Sequence, residues 1–297
     1  MMVKNKFPII SIITPSYNQG QYIEQTIKSV LNVGGSDVEY IIMDGGSTDQ
    51  TIEIIKRYQH SIAHWVSEPD GGQSQAINKG MALATGDIVG WLNSDDVYMP
   101  DILSHVTETL DTSKAEICFG NCIHFKEGQR AVEAWGSDVV YHAENGRLEN
   151  YDYIIQPSSF WTRRAWELAG PLREDLHYAF DWEWFLRAKA AGVTLRSIPS
   201  CLSMYRIHDA HKSGSGGNKR REEISAIYQQ YAPKYAKLYD LVKKEDFSCA
   251  DIKSRLARKL LQHTGKPSSN FDVVKYLKKK LYQEYSVQEI NGCVSML

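Results

Sequence analysis

Four apolar, β-rich runs separated by helical periods fill the first hundred residues, and this alternation leaves the fold little freedom. Ile9 to Thr14 is the first run, after which Ile23, Ile27, Val30 and Leu31 recur at helical spacing. Val38 to Met43 is the second. Ser47-Thr48-Asp49-Gln50 then reads as a capping box, with Ser47 the cap and Gln50 its return partner, ahead of a helix burying Ile52, Ile55 and Tyr58. Ile62 to Ser67 and Ile88 to Leu92 are the third and fourth runs, with a helix over Ser74 to Ala84, ended at Gly86, between them. Elements of these lengths in alternation predict an α/β fold: right-handed βαβ crossovers building a mostly parallel sheet with helices on both faces.

Beyond residue 100 the pattern loosens. A helix is expected over Asp101 to Leu110, a strand near Ile117 to His124, and a helix over Trp182 to Ala191. Lys212-Ser213-Gly214-Ser215-Gly216-Gly217-Asn218 has the composition of a linker or loop, and past it Ile224, Ile227, Tyr228, Tyr231, Val273, Val274, Leu277, Leu281 and Tyr285 fall at helical spacing. The expected division is therefore residues 1–212, in halves 1–100 and 101–212, and a helical extension over 213–297. Charge follows this division. The net of −2 conceals 17 basic and 27 acidic residues up to position 210, against 17 basic and 9 acidic residues after it.

Several classes are excluded. With 42% hydrophobic residues the chain is not disordered, and no apolar stretch reaches the 18 or so residues of a membrane span. The start reads as a strand rather than an export signal, so the cytoplasm is the expected compartment. Five scattered cysteines, 118, 122, 201, 249 and 293, never spaced CxxC, speak against a disulfide framework and a zinc cluster. The basic tail carries no nucleic-acid recognition motif. Lys275, Lys278, Lys279 and Lys280 beside Leu277 and Leu281 would suit an anionic membrane face, or equally a helix packed on its own domain.

Open α/β sheets bind ligands outside the carboxyl ends of their strands. In this chain those ends lead into Pro15-Ser16-Tyr17-Asn18, Asp44-Gly45-Gly46-Ser47, Glu68-Pro69-Asp70-Gly71-Gly72-Gln73 and Asn93-Ser94-Asp95-Asp96, all polar or glycine-rich. The adjacent carboxylates Asp95 and Asp96 repel unless a cation or hydrogen bonds compensate, which suits Mg²⁺ or Mn²⁺ completed by phosphate oxygens, or else a helix cap. Asp44 suits a nucleoside hydrogen bond or an Asx turn; Tyr17 suits stacking on a base or packing. Asp181 heads a helix, as a cap or as a proton acceptor, and His208 fits a ligand, a proton-transfer group or a packed histidine.

Taken together, Pro15 to Asn18, Asp44-Gly45-Gly46-Ser47-Thr48-Asp49, Gly72-Gln73-Ser74-Gln75-Ala76-Ile77-Asn78-Lys79-Gly80 and Gly86-Asp87 leading to Trp91-Leu92-Asn93-Ser94-Asp95-Asp96 resemble, in order and spacing, the motif series of glycosyltransferase family 2. The resemblance is firm over residues 7 to 100 and moderate to about 210. It implies a GT-A fold with a Rossmann-like sheet, a nucleotide-sugar donor held by residues 1–100, UDP being the commonest choice, a divalent Mn²⁺ or Mg²⁺, and inversion at the anomeric carbon. The chain looks most like members that build bacterial surface polysaccharides such as O-antigen, capsule or exopolysaccharide. The resemblance implies a glycan or lipid-linked saccharide acceptor, for which a peripheral contact with the cytoplasmic face of the inner membrane would be one expected setting.

Carried over residue by residue, the resemblance places Thr14, Pro15 and Tyr17 at the nucleobase, Asp44 and Ser47 at the nucleoside, Asp70, Gly72 and Gln73 in the loop over the donor, and Asn78 and Lys79 near ribose and phosphates. Asn93, Ser94, Asp95 and Asp96 match the DxD-type site, with Asn93 in place of the family's first aspartate. Asp95 and Asp96 are the implied metal ligands. Asp181 aligns with the catalytic base, with Phe180 where the family has Glu; Arg206 and His208 match a late motif reaching the diphosphate or the metal. The departures at Asn93 and Phe180 keep a non-catalytic nucleotide-sugar-binding protein as the alternative. A nucleotidyltransferase would instead need a glycine-rich basic triphosphate loop, which is missing. Residues 100 to 210, including Gln156, Pro157, Trp161 and Trp182, are expected on the acceptor side, although each tryptophan equally suits a core.

Overall fold

The computed structural model describes residues 10–34, 38–127, 132–208, 212, 216–244 and 284–297. The N-terminal alternation appears as β1 (Ile10–Ser16), α1 (Ile23–Gly34), β2 (Val38–Asp44), α2 (Thr51–Tyr58), β3 (His64–Ser67), α3 (Gln73–Leu83) and β4 (Ile88–Trp91). Next come β5 (Val97–Tyr98), α4 (Ile102–Thr109), β6 (Glu116–Glu127), β7 (Val132–Gly136), α5 (Val139–Asn145), β8 (Ser159–Thr162), α6 (Arg163–Ala169), α7 (Phe180–Ala190) and β9 (Thr194–Arg206).

These strands form one sheet in the order β3-β2-β1-β4-β8-β6-β9-β5, with β7 added to β6. Strands β3, β2, β1 and β4 are parallel, as the alternation requires, whereas β8 runs antiparallel to both β4 and β6, and β6 and β9 are parallel to each other. The sheet is thus parallel in its first half and mixed beyond β4.

Side-chain alternation along β1 divides the core. Ile10 and Ile12 pack with Ile23, Ile27 and Val30 of α1, Ile54 and Ile55 of α2, and Ile102 and Val106 of α4. Ile13 points the other way, onto α3, where a Cβ at Gly80 would come within 2.6 Å of Ile13 Cγ2. Only a glycine lets the helix approach β1 this closely.

The capping box does not form. Helix α2 starts at Thr51, and its cap, Gln50, makes no side-chain hydrogen bond. Ser47 is engaged in the turn instead, its Oγ accepting from the Asn18 amide at 2.7 Å and its hydroxyl donating to the Asp44 carboxylate at 2.5 Å, while Asp49 accepts from the Thr51 amide at 2.9 Å.

The chain divides into two compact units, residues 1–145 with 153–220, and 146–152 with 221–297. The expected division is at residue 212; the two units part at residues 220–221, inside α8 (Gly217–Tyr231), and a short internal segment joins the C-terminal unit. That unit also contains α9 (Pro233–Lys244) and α10 (Val287–Ser295). Tyr228, Leu238, Tyr239, Ile290 and Cys293 are buried within it, the Tyr228 hydroxyl donates to the Asn150 carbonyl, and Ser286 with Glu289 forms a complete capping box on α10. The lysine cluster at 275–280 lies outside the described residues. No helix among the described residues is long and apolar enough to cross a membrane.

Candidate active site

The parallel strands β1, β2 and β4 bring their carboxyl ends to one edge of the sheet, where three loops interlock. Asn18, in the left-handed region at φ 52°, donates its amide to Ser47 Oγ at 2.7 Å and accepts from the Thr48 amide at 2.9 Å. A Cβ at Gly45 would lie 3.0 Å from Asp70 Oδ2, so that glycine admits the β3 loop; Asp70 in turn accepts from the Gly72 amide at 2.8 Å. Tyr17 is 61% exposed on this rim.

Several residues expected at the donor make hydrogen bonds within the protein. Asp44 is 2% exposed, and its carboxylate accepts from the amides of Gly46 and Ser47 and from the hydroxyls of Ser47 and Ser67, at 2.5–3.0 Å. Hydrogen bonds to a charged group contribute about 1.5–3 kcal/mol each, so a nucleoside would have to displace one of four such donors. Asp44 and Ser47 thus build the turn between β2 and α2. Thr14 is buried and accepts from the Tyr40 hydroxyl at 3.1 Å, and Pro15 is buried beside it. Asn78 clasps the backbone of Leu172 in both directions at 2.9 Å. Lys79 pairs with Glu68 at 2.8 Å on the surface.

The turn after β4 is where polar groups converge. Asp95 Oδ2 lies 3.0 Å from His208 Nε2, and both side chains retain some exposure. Asp96 is buried; it accepts from the Arg206 amide at 3.0 Å and the Asn93 side-chain amide at 3.3 Å. Burial, and then the negative charge of Asp95, push the Asp96 carboxyl well above the usual carboxylate range. Among the described residues no three His, Cys, Asp or Glu side chains gather closely enough to hold a metal. The expected trio of Asp95, Asp96 and His208 thus resolves into an Asp95–His208 pair, with Asp96 held apart by Arg206 and Asn93. Such a pair still fits a hard divalent ion that takes its remaining ligands from water and a diphosphate.

Arg206, expected to reach the diphosphate, is 3% exposed. Its guanidinium lies between the Tyr22 and Phe125 rings, at 4.9 and 4.6 Å from their centroids, and donates to the Asp95 carbonyl at 3.0 Å and to Gln25 Oε1 at 2.5 Å. It holds the Asp95 turn from behind. Ser94 is buried in the same turn.

Asn93 occupies a junction that composition and spacing did not foretell. It accepts from Gln73 Nε2 at 2.7 Å and donates to Gln156 Oε1 at 3.2 Å, and Gln156 Nε2 donates to the Trp91 carbonyl at 2.7 Å. Lys212 Nζ donates to Gln73 Oε1 at 3.1 Å and lies 5.3 Å from the Phe180 ring centroid. Lys212 and Gln156 thus join the site. Lys212 had been legible only as the first residue of a linker.

Asp181 is the second residue of α7, so it is not the cap; Ala179 is, without a side-chain hydrogen bond. Its Oδ1 accepts from the Trp182 amide at 2.8 Å. Burial raises its carboxyl above the ordinary aspartate value, against the opposing pull of that amide, Lys212 and Arg220. Phe180 packs 6.3 Å from Trp91, whose strand leads into the Asp95 turn. The aromatic residues expected at the acceptor side are core: Trp161 and Trp182 are 0% and 1% exposed.

A family model described as "Glycosyl transferase family 2" matches residues 11–166. A relative named hyaluronan synthase, from Pasteurella multocida, is 29% identical over 63% of this chain; the chain spans about a fifth of that protein's length, 19%. A glycosyltransferase of Nostoc sp. is 37% identical over 72% of this chain and 69% of its own. Two solved structures share the fold, each with a TM-score of 0.60. TarS of S. aureus with UDP-GlcNAc is 16% identical over 97% of this chain and 79% of its own, and the mannosyltransferase PcManGT of Pyrobaculum calidifontis with GDP-Man and Mn²⁺ is 15% identical over 98% and 86%.

Proposed function

The chain belongs to glycosyltransferase family 2, and on that premise we propose that it transfers a sugar, with inversion, from a nucleotide-diphospho-sugar such as a UDP-sugar to a hydroxyl of a glycan or lipid-linked saccharide in bacterial surface-polysaccharide synthesis. The observation that carries this reading is the placement of a carboxyl of raised pKa, Asp181, beside Lys212, which reaches the Asp95 turn through Gln73 and Asn93.

In the proposed single displacement, Asp181 accepts the proton of the acceptor hydroxyl as that oxygen bonds to the anomeric carbon. The bond from that carbon to the diphosphate breaks, and the nucleoside diphosphate departs. A divalent ion held by Asp95 and His208 would neutralise charge on the departing diphosphate. Arg206 and Asn93 keep the turn in place, Tyr17 offers a face to the nucleobase, and Lys212 adds positive charge between base and turn.

Asn93 bears on the non-catalytic alternative. Its amide donates to a buried carboxylate, which an aspartate there would instead repel, so the substitution suits a working turn as well as a disabled one. A panel of UDP-, GDP- and dTDP-sugars tests the reading through release of nucleoside diphosphate. Release from at least one donor, faster with a saccharide acceptor, is expected; tight donor binding without release would favour the non-catalytic protein, and pyrophosphate release a nucleotidyltransferase. Association with the inner membrane belongs to the same proposal and is read by liposome sedimentation.

A further inference from the structure

Trp135 alone among the chain's tryptophans is exposed, at 50%, on β7. It is not isolated. In the sheet register Trp135 stands opposite His124, and His124 opposite Tyr205, so the three side chains lie side by side on one face. The Trp135 and His124 rings are stacked at 5.8 Å with only 9° between planes, and the His124 and Tyr205 centroids are 5.5 Å apart. We propose that these three rings form the bed on which a pyranose ring of the acceptor saccharide lies.

Topology puts the bed at the right end of the sheet. Strand β8 is antiparallel to β4 and to β6, and β9 is parallel to β6, so β6 and β9 run with β4 and rise towards the end where Asn93 to Asp96 leave it. Alternation puts it on a face that continues into the site. Ser203, two residues or about 7 Å before Tyr205, lies 2.6 Å from Ser158 Oγ, and Ser158 closes the short turn whose Gln156 bonds Asn93.

The chemistry favours a sugar over lipid or an apolar protein surface. The C–H face of a pyranose stacks on aromatic rings, while its hydroxyl edge requires polar groups around them. Lys126 and Glu133, exposed and opposite each other in register, flank the rings on the same face, whereas alternation sends Val132, the neighbouring exposed apolar residue, to the opposite face. Among the described residues the result is one aromatic cluster with a charged border.

This inference rests on the glycosyltransferase reading for its substrate, and the test separates the two. Tetrasaccharides of hyaluronan, of chondroitin and of N-acetylglucosamine serve as probes, with the full chain as wild type, Trp135→Ala and Trp135→Tyr. Direct binding without donor, followed by saturation-transfer NMR, is expected for at least one probe, weakened about tenfold, or 1.4 kcal/mol, in Trp135→Ala and largely restored in Trp135→Tyr. In the transfer assay the same pattern is expected in acceptor KM, with donor KM held. Undiminished binding or an unchanged acceptor KM in Trp135→Ala overturns the inference, as does a loss that Trp135→Tyr does not restore. So does a loss of affinity for phosphatidylglycerol vesicles with saccharide binding intact. If saccharide binds as expected but no donor is consumed, the bed stands and the catalytic reading fails.

Discussion

Asn93 Nδ2 donates to Asp96 Oδ2 across 3.3 Å, placing an amide donor beside a carboxylate that is almost wholly buried. A buried carboxylate depends on its donors, and Asp96 has this one and the Arg206 amide. The same Asn93 side chain accepts from Gln73, so one residue ties the start of α3 to the turn after β4.

Asn93→Asp removes the donor and sets a second carboxylate against Asp96. A loss of about 1–3 kcal/mol in stability is expected, since a buried polar group is left without its partner. Urea unfolding at neutral pH measures it, and a variant as stable as the wild type would mean that Asn93 does not support Asp96.

Asp181→Asn should lower turnover by roughly 10²- to 10⁴-fold with donor affinity nearly unchanged, the usual contribution of a general base. The pH dependence follows from the raised carboxyl. The base must be ionised to act, so turnover should rise with pH through a midpoint above that of an ordinary aspartate. Stability runs the other way. A carboxyl raised by folding contributes fully below its unfolded value and loses that contribution as pH rises through its folded value, so Asp181→Asn should be at least as stable as wild type at neutral pH. Rate profiles and melting curves from pH 4 to 8 read both.

Lys212→Met removes a positive charge that draws the Asp181 carboxyl down. The acid limb of the turnover profile should then move to higher pH. A limb that stays in place would take Lys212 out of the environment of the base.

Chelation should abolish transfer, and Mn²⁺ or Mg²⁺ should restore it. His208→Ala, which deprives Asp95 of its partner at 3.0 Å, should weaken apparent metal affinity about 10- to 100-fold, the usual cost of losing a group that ligates or orients a ligand. Titration of activity with Mn²⁺ gives the value, and full activity in chelator would exclude the metal.

The strands and helices of residues 10–91 were legible because each apolar run has one period and one length. Ile10 and Ile12 against Ile13 already encode two covered faces, and β1, β2 and β4 end within two residues of where the runs end. The mixed half was not legible in the same way. Strand β8, four residues long and fully buried, has no alternation to reveal its direction, which its neighbours β4 and β6 impose.

At the site, Asp44, Asp70, Asp95 and Asp96, each at or just after the end of a strand, marked the edge of the sheet where polar groups gather, because strand ends dictate where loops go. Which of those groups face a ligand is a matter of competition among neighbours distant in sequence. Ser67 and Ser47 saturate Asp44, Leu172 occupies Asn78, Tyr22 and Phe125 enclose Arg206, and Lys212 joins Gln73 across 139 positions. Periodicity along the chain is a local property and settles the elements; hydrogen-bond partners and burial are properties of three-dimensional neighbours, and only the packed sheet decides them.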